Sequence, residues 1–139
     1  MILYTKITLQ QLSKEGKNHK WGTYPCTKCD RNMWGHGYVA RYFTEVSNAV
    51  YLKKYRCPNC RVVVIVKPEG FWPHIRSAIS TVYKMLRSRI SKGTWPAEFP
   101  RQRGGHWLKR FAINAKMSCE INLLTFLDRC FVKELHFFP

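Results

Sequence analysis

Two CxxC pairs, Cys26-Thr27-Lys28-Cys29 and Cys57-Pro58-Asn59-Cys60, constrain this chain more than any other feature. Each pair can hold a metal ion from one side. Four thiolates together close a tetrahedral site and leave no position for a substrate. The spacing therefore predicts one structural Zn2+ held by Cys26, Cys29, Cys57 and Cys60. A redox CxxC has no need of a second copy, and a labile iron centre is the other alternative for these donors.

The sequence between and after the pairs reads as strand. His36 to Glu45 and Val50 to Arg56 are rich in Tyr, Val and Phe, with Ser47-Asn48 as the turn between them. Val62 to Val66 reads as a third strand, ended by Pro68. Two cysteine turns facing each other across a three-stranded antiparallel sheet make a zinc ribbon over residues 24–68. The residues that follow each pair, Asp30 and Arg61, stand where a left-handed backbone is favoured; Asp tolerates it better than Arg. His36 falls inside a predicted strand and is read as a solvated or core histidine. Tyr38, Tyr42, Phe43, Tyr51 and Tyr55 are read mainly as core and cross-strand pairs, with a base-stacking surface as the alternative.

A ribbon of this kind says what folds the first half, not what the protein does. Charge says more. Lys and Arg number 24 against 8 acids, a net charge of +16. Such self-repulsion is usually tolerated because a polyanion neutralises it, and nucleic acid is the leading candidate. The start, Met1 to Lys6, turns polar before any signal-peptide length, and the longest apolar run, Val62 to Val66, is too short to span a bilayer. The expectation is a cytoplasmic protein with no membrane partner, nucleoid-associated if its target is DNA. In a reducing compartment the paired cysteines serve as ligands rather than disulfides.

The second half reads as helical. Pro73 opens a helix that runs to about Lys92, with Gly93 as its stop. Ile75, Ile79, Val82, Leu86 and Ile90 form one apolar stripe, while Arg76, Lys84, Arg87, Arg89 and Lys92 occupy mainly the other faces. No acid lies between Gly70 and Ala97, where an ordinary solvated helix would interleave Glu for local pairing. After the connector from Thr94 to Pro100, Gly104-Gly105 opens a short helix that begins at His106. Trp107, Leu108 and Phe111 plug it onto the first helix, and Arg101, Arg103, Lys109 and Arg110 ring its start. A long helix, a turn and a short basic helix fit a helix-turn-helix variant over residues 69–117. In that reading Arg76, Lys84, Arg87, Arg101, Lys109, Arg110 and Lys116 supply phosphate contacts. Gln102, Arg103, His106 and Asn114 are the candidate base readers. The bland alternative makes the cations a solvated surface.

Ser118 reads as the cap of a last helix from about Cys119 to His136, with Ile121, Leu124, Leu127, Phe131 and Leu135 as its buried stripe. Leu123, Phe126, Phe137 and Phe138 exceed what one face needs, which suggests packing on the basic module or self-association through residues 118–139. Cys119 and Cys130 read as buried thiols. Residues 1–23 are read as an N-terminal extension.

Catalysis finds little in the sequence. Glu15, Asp30, Glu45, Glu69, Glu98, Glu120, Asp128 and Glu134 share no short motif, although a two-metal nuclease or transposase needs several carboxylates at one site. There is no Walker-type loop, no GxSxG elbow and no His-x-Glu ahead of a CxxC. The chain is read as a non-enzyme.

The run from Cys57-Pro58-Asn59-Cys60 through Pro68-Glu69-Gly70-Phe71-Trp72-Pro73 to Arg101-Gln102-Arg103-Gly104-Gly105-His106-Trp107-Leu108 resembles small prokaryotic zinc-ribbon proteins found with mobile genetic elements, often beside a transposase. The resemblance covers residues 24–117. It implies an accessory DNA-binding subunit rather than the strand-transfer enzyme. The expected fold is α+β: the three-stranded antiparallel zinc ribbon, then an all-helical, helix-turn-helix-like basic module. The expected function is zinc-stabilised binding of double-stranded DNA in transposition or transcription. Two other readings stay open: a subunit that docks a transposase, a polymerase or another nucleic-acid enzyme, and an RNA-binding protein of a ribonucleoprotein.

Overall fold

The computed structural model describes residues 1–119 and 121–132. Among them the protein is α+β, with a four-stranded mixed sheet and four α-helices. It divides into two compact units, Met1–Glu69 and Gly70–Pro139.

The first unit is built on β2 (Trp34–Arg41), β3 (Val50–Arg56) and β4 (Val63–Pro68), each antiparallel to the next. Alternation places Val50 and Leu52 of β3 on one face, while Tyr55, of opposite parity, is buried on the other with Val64 and Val66 of β4. The sheet is not three-stranded, as the sequence suggested. Residues 1–23 are more than an extension, because β1 (Ile2–Thr5) pairs parallel with β4, giving the order β1-β4-β3-β2. Ile65 donates to the Met1 carbonyl at 3.0 Å and Glu69 to that of Thr5 at 2.9 Å. The helix α1 (Leu9–Glu15) follows. Thr8 caps it by accepting from the Gln11 N–H at 3.2 Å, and Leu9 and Leu12 are buried. The strand expected over 36–45 is displaced to 34–41. Its pairing with β3 shifts register between Gly35 and Tyr38, where Gly37 has φ +81°.

The second unit holds α2 (Ile79–Lys92), α3 (Arg101–Met117) and α4 (Leu123–Val132). The first helix starts later than Pro73 suggested. Residues 71–78 form turns instead, closed by Ile75 N–H to Trp72 O at 3.2 Å and Ile79 N–H to Gly70 O at 2.8 Å; His74 has φ +62° there, outside the helical range. Gly93, at φ +72°, ends α2 as expected.

The second helix is not a short one opening at His106. It spans 17 residues, and Gly104 and Gly105 lie within it. Gly104 is buried where a Cβ would stand 2.6 Å from the Trp95 ring, so the glycine serves close packing rather than a helix start. The connector 93–100 is longer than the roughly three- to four-residue turn of a helix-turn-helix.

Ser118 is the C-cap of α3, not the N-cap of the last helix. That role falls to Asn122, whose side-chain oxygen accepts from the N–H groups of Leu124 at 3.0 Å and Thr125 at 3.1 Å. Ile121 consequently precedes the helix and is fully exposed, and Cys119, at φ +57°, is exposed too; both were expected to be buried. Leu135 of the expected stripe, and Phe137 and Phe138 of the expected apolar excess, lie outside the described residues. The core joins Val82, Met85 and Leu86 of α2, Trp107, Phe111 and Ala115 of α3, and Phe126, Leu127 and Cys130 of α4, together with Trp72. Cys130 is buried as expected.

Candidate metal centre and cationic surface

The two cysteine pairs sit in turns of the same construction. In the first, Cys26 N–H donates to Arg31 O at 2.8 Å and Asp30 N–H to Cys26 O at 2.9 Å. In the second, Cys57 N–H donates to Val62 O at 3.0 Å and Arg61 N–H to Cys57 O at 3.1 Å. Asp30 (φ +61°) and Arg61 (φ +59°) both adopt the left-handed backbone expected at those places. This tight loop turns both thiols of a pair to one side. The Pro25–Asn32 bridge ties the first turn at its base, and β3 and β4 tie the second.

Across the gap the four sulfurs lie within 4.8 Å of one another. Cys26 and Cys60 are 3.4 Å apart, Cys29 and Cys57 3.3 Å, and Cys29 and Cys60 4.0 Å. Metal–sulfur bonds of about 2.3 Å in a tetrahedron require sulfurs roughly 3.8 Å apart. The donor set and its spacing fit one metal ion. Cys26 and Cys57 are buried with Met33, Tyr55, Val64 and Val66, so the centre is continuous with the core of its unit.

Backbone N–H groups, that of Lys28 first, hold the Cys26 thiol below the usual range. Burial raises Cys57, but the Cys60 N–H, the Cys29 thiol and the Asn59 N–H together outweigh it, and that thiol also lies low. At Cys60 the Val62 N–H favours the thiolate. Burial and the Cys26, Cys57 and Cys29 thiols prevail, and the group is pushed up to about 11. A divalent cation reverses that competition, because coordination deprotonates the thiols outright.

The expected nucleic-acid contacts fall in several places. Gly104, Trp107, Phe111 and Ala115 are the buried positions of α3. By helical spacing, Gln102, His106, Lys109 and Ile113 lie opposite them, and Arg110 and Lys116 lie alongside. These six side chains are exposed, as are Arg101 and Arg103; Asn114 is half-buried. Lys84 is exposed on α2, whereas Arg76 lies in the turns before it. Arg87 is engaged elsewhere. Its guanidinium pairs with Asp128 of α4 at 2.7 Å and donates to the Tyr83 hydroxyl at 2.6 Å, while that hydroxyl donates to Asp128 at 2.7 Å.

Of the ribbon aromatics, Phe43 and Tyr55 are buried. Tyr55 donates to Gly22 O at 2.6 Å, and burial pushes its hydroxyl up to about 12. Lys53 lies over the Tyr38 ring at 4.3 Å and Lys17 over Tyr51 at 4.8 Å. Tyr42 is exposed, but the most exposed ring is Trp34, 69% accessible, which sequence reasoning missed. Its signal was a tryptophan beside the Gly35-His36-Gly37 run, where alternation gives no reason to bury it.

Among the described residues, no helix is long and apolar enough to cross a membrane. No family model, curated protein or solved structure matches the chain.

Proposed function

We propose that the protein is a non-enzymatic, zinc-stabilised nucleic-acid-binding protein that engages double-stranded DNA as an accessory factor in transposition or transcription. Zn2+ is the ion suited to four thiolates in a closed tetrahedral site, and its affinity there would be folding free energy for the ribbon of β2, β3 and β4. The observation that carries the reading is the exposed side of α3. Arg101, Lys109, Arg110 and Lys116 stand out from a helix that contains no carboxylate, so phosphates rather than acids of that helix are their natural counter-ions. Gln102 and His106 share that face and can read base edges if the helix enters a groove as in a helix-turn-helix protein.

The test is anisotropy of labelled duplex DNA, single-stranded DNA and structured RNA, each titrated across salt. Tight duplex binding that weakens steeply with salt supports the proposal, and equal, weak binding to all three opposes it. A specific observation favours a second reading. Ile113, Met117 and Ile121 are 51%, 79% and 100% exposed near the α3–α4 junction, an apolar patch suited to docking a larger nucleic-acid enzyme or to self-association. Aggregation of the isolated chain, relieved by a co-expressed enzyme, would favour that role.

A further inference from the structure

We infer that a pocket on the first unit, beside the second cysteine turn, holds one unpaired nucleotide, its base stacked on Trp34 and its phosphate held by Arg56 and Arg61. The inference deepens the nucleic-acid reading above and rests on it.

The pocket has a volume of about 330 Å3 and is lined by Trp34, His36, Arg56, Cys57, Pro58 and Arg61. That volume lies at the lower end of the roughly 300–1,000 Å3 typical of small-ligand sites. Trp34 and Arg56 are direct partners across the β2–β3 pair, so indole and guanidinium leave the sheet side by side. The register shift that follows Trp34 sets His36 out of the regular ladder, at the pocket wall. Arg61, in the left-handed position after the second cysteine pair, also lines the pocket.

Three features select a nucleotide. Trp34 is 69% exposed on a sheet that buries Tyr55 and Val64, and an open indole is a platform on which any base can stack. No carboxylate lines the pocket, and neither Arg56 nor Arg61 is in an ion pair among the described residues. Guanidinium forks suit phosphate oxygens, so two arginines beside an open ring offer a phosphate site next to a base platform. A duplex cannot use the pocket, because its bases are already stacked on one another.

The experiment uses the full zinc-loaded chain with labelled oligo(dT), oligo(rU) and a blunt DNA duplex. Trp34→Ala is expected to weaken binding of the single strands by roughly 5- to 150-fold, with duplex binding and zinc content unchanged. Trp34→Phe keeps most of the affinity, because a ring remains for stacking. Tight binding of either single strand by the wild type supports the assignment, whichever sugar it carries. If Trp34→Ala binds both oligonucleotides as the wild type does, the pocket assignment is wrong while the duplex reading stands. Loss of zinc along with affinity would also overturn it, since the ring would then be supporting the metal turn. A wild type that binds neither single strand nor duplex overturns both readings.

Discussion

Gly104 of α3 faces the indole of Trp95 so closely that a Cβ there would stand 2.6 Å from one ring carbon and 2.8 Å from the next. Arg89 lies over that indole at 5.7 Å, so the ring is held from a second side. Two effects oppose each other at this position. Alanine gains about 1 kcal/mol of helix propensity over glycine, whereas overpacking costs about 1–3 kcal/mol. Gly104→Ala should therefore lower the melting temperature of the helical unit. Gly105→Ala, with nothing within 4 Å of the new methyl, should raise it. Thermal denaturation of the pair separates packing from propensity.

Stripping the metal should unfold the sheet unit. Cys57→Ser should do the same, because three thiolates leave an open site and a core residue is replaced by a polar one. Coordination needs thiolates, so metal should be retained at neutral pH and released as acid reprotonates them. Zinc release followed with a chromogenic chelator, alongside near-ultraviolet circular dichroism, checks both. A Cys57→Ser variant that stays folded and binds zinc tightly would refute the metal assignment.

Tyr55 supplies an alkaline limit. Its folded value of about 12 lies above the usual 10.0, because burial disfavours the phenolate. The neutral hydroxyl's contribution is complete below pH 10 and is lost as pH rises through 12. Stability of the sheet unit should fall across that window. Tyr55→Phe should flatten the fall while lowering stability at neutral pH, since Gly22 O loses its donor. Urea titrations at stepped pH measure both effects.

Arg87 and Lys109 should behave differently towards DNA although both are exposed cations. Arg87 already pairs with Asp128 at 2.7 Å, an ion pair whose partners are about half accessible and so screened by solvent. Lys109 stands on the exposed side of α3. Lys109→Ala should lower duplex affinity and reduce the salt slope by about 1. Arg87→Ala should change the slope less. Equal effects would place the DNA on α2 as much as on α3.

Arg61 should show stability and affinity moving in opposite directions. Its φ of +59° costs an ordinary residue roughly 1–2 kcal/mol, and glycine removes that strain at some entropic cost in the unfolded chain. Arg61→Gly is expected to raise the stability of the metal turn slightly and weaken single-strand binding. Paired melting and anisotropy measurements test both signs.

What could be read from the sequence follows the range of the forces involved. Both cysteine turns are local, so Cys-x-x-Cys spacing was enough to place the ligands and the left-handed backbone at Asp30 and Arg61. The β3 boundaries, Val50–Arg56, were legible for the same reason. β1 was not. Four residues carry no periodicity, and Ile2 finds its partner only at Ile65. α1 was passed over although Thr8 and Gln11 form a cap signal. Pro73 resembled a helix start, but the neighbouring His74 backbone turns left-handed and delays the helix to Ile79. Gly104-Gly105 resembled a break because the ring that demands a missing Cβ lies in the preceding connector, at Trp95. Ser118 and Asn122 both resemble N-caps. Only the end of α3, which needs Ser118 as its own terminus, decides between them. At the candidate site, residue types placed the cations, but not the partner that draws Arg87 to α4.

The parallel pairing of β1 with β4 has a consequence for the order of assembly. During synthesis, Ile2–Thr5 leaves the ribosome well before Val63–Pro68, and it must wait unpaired until that partner emerges. By then both cysteine turns have emerged, so metal capture can close β2, β3 and β4 while the edge is still open. β1 then docks against a finished template, and a chain starved of metal during translation would leave an apolar strand searching for another edge.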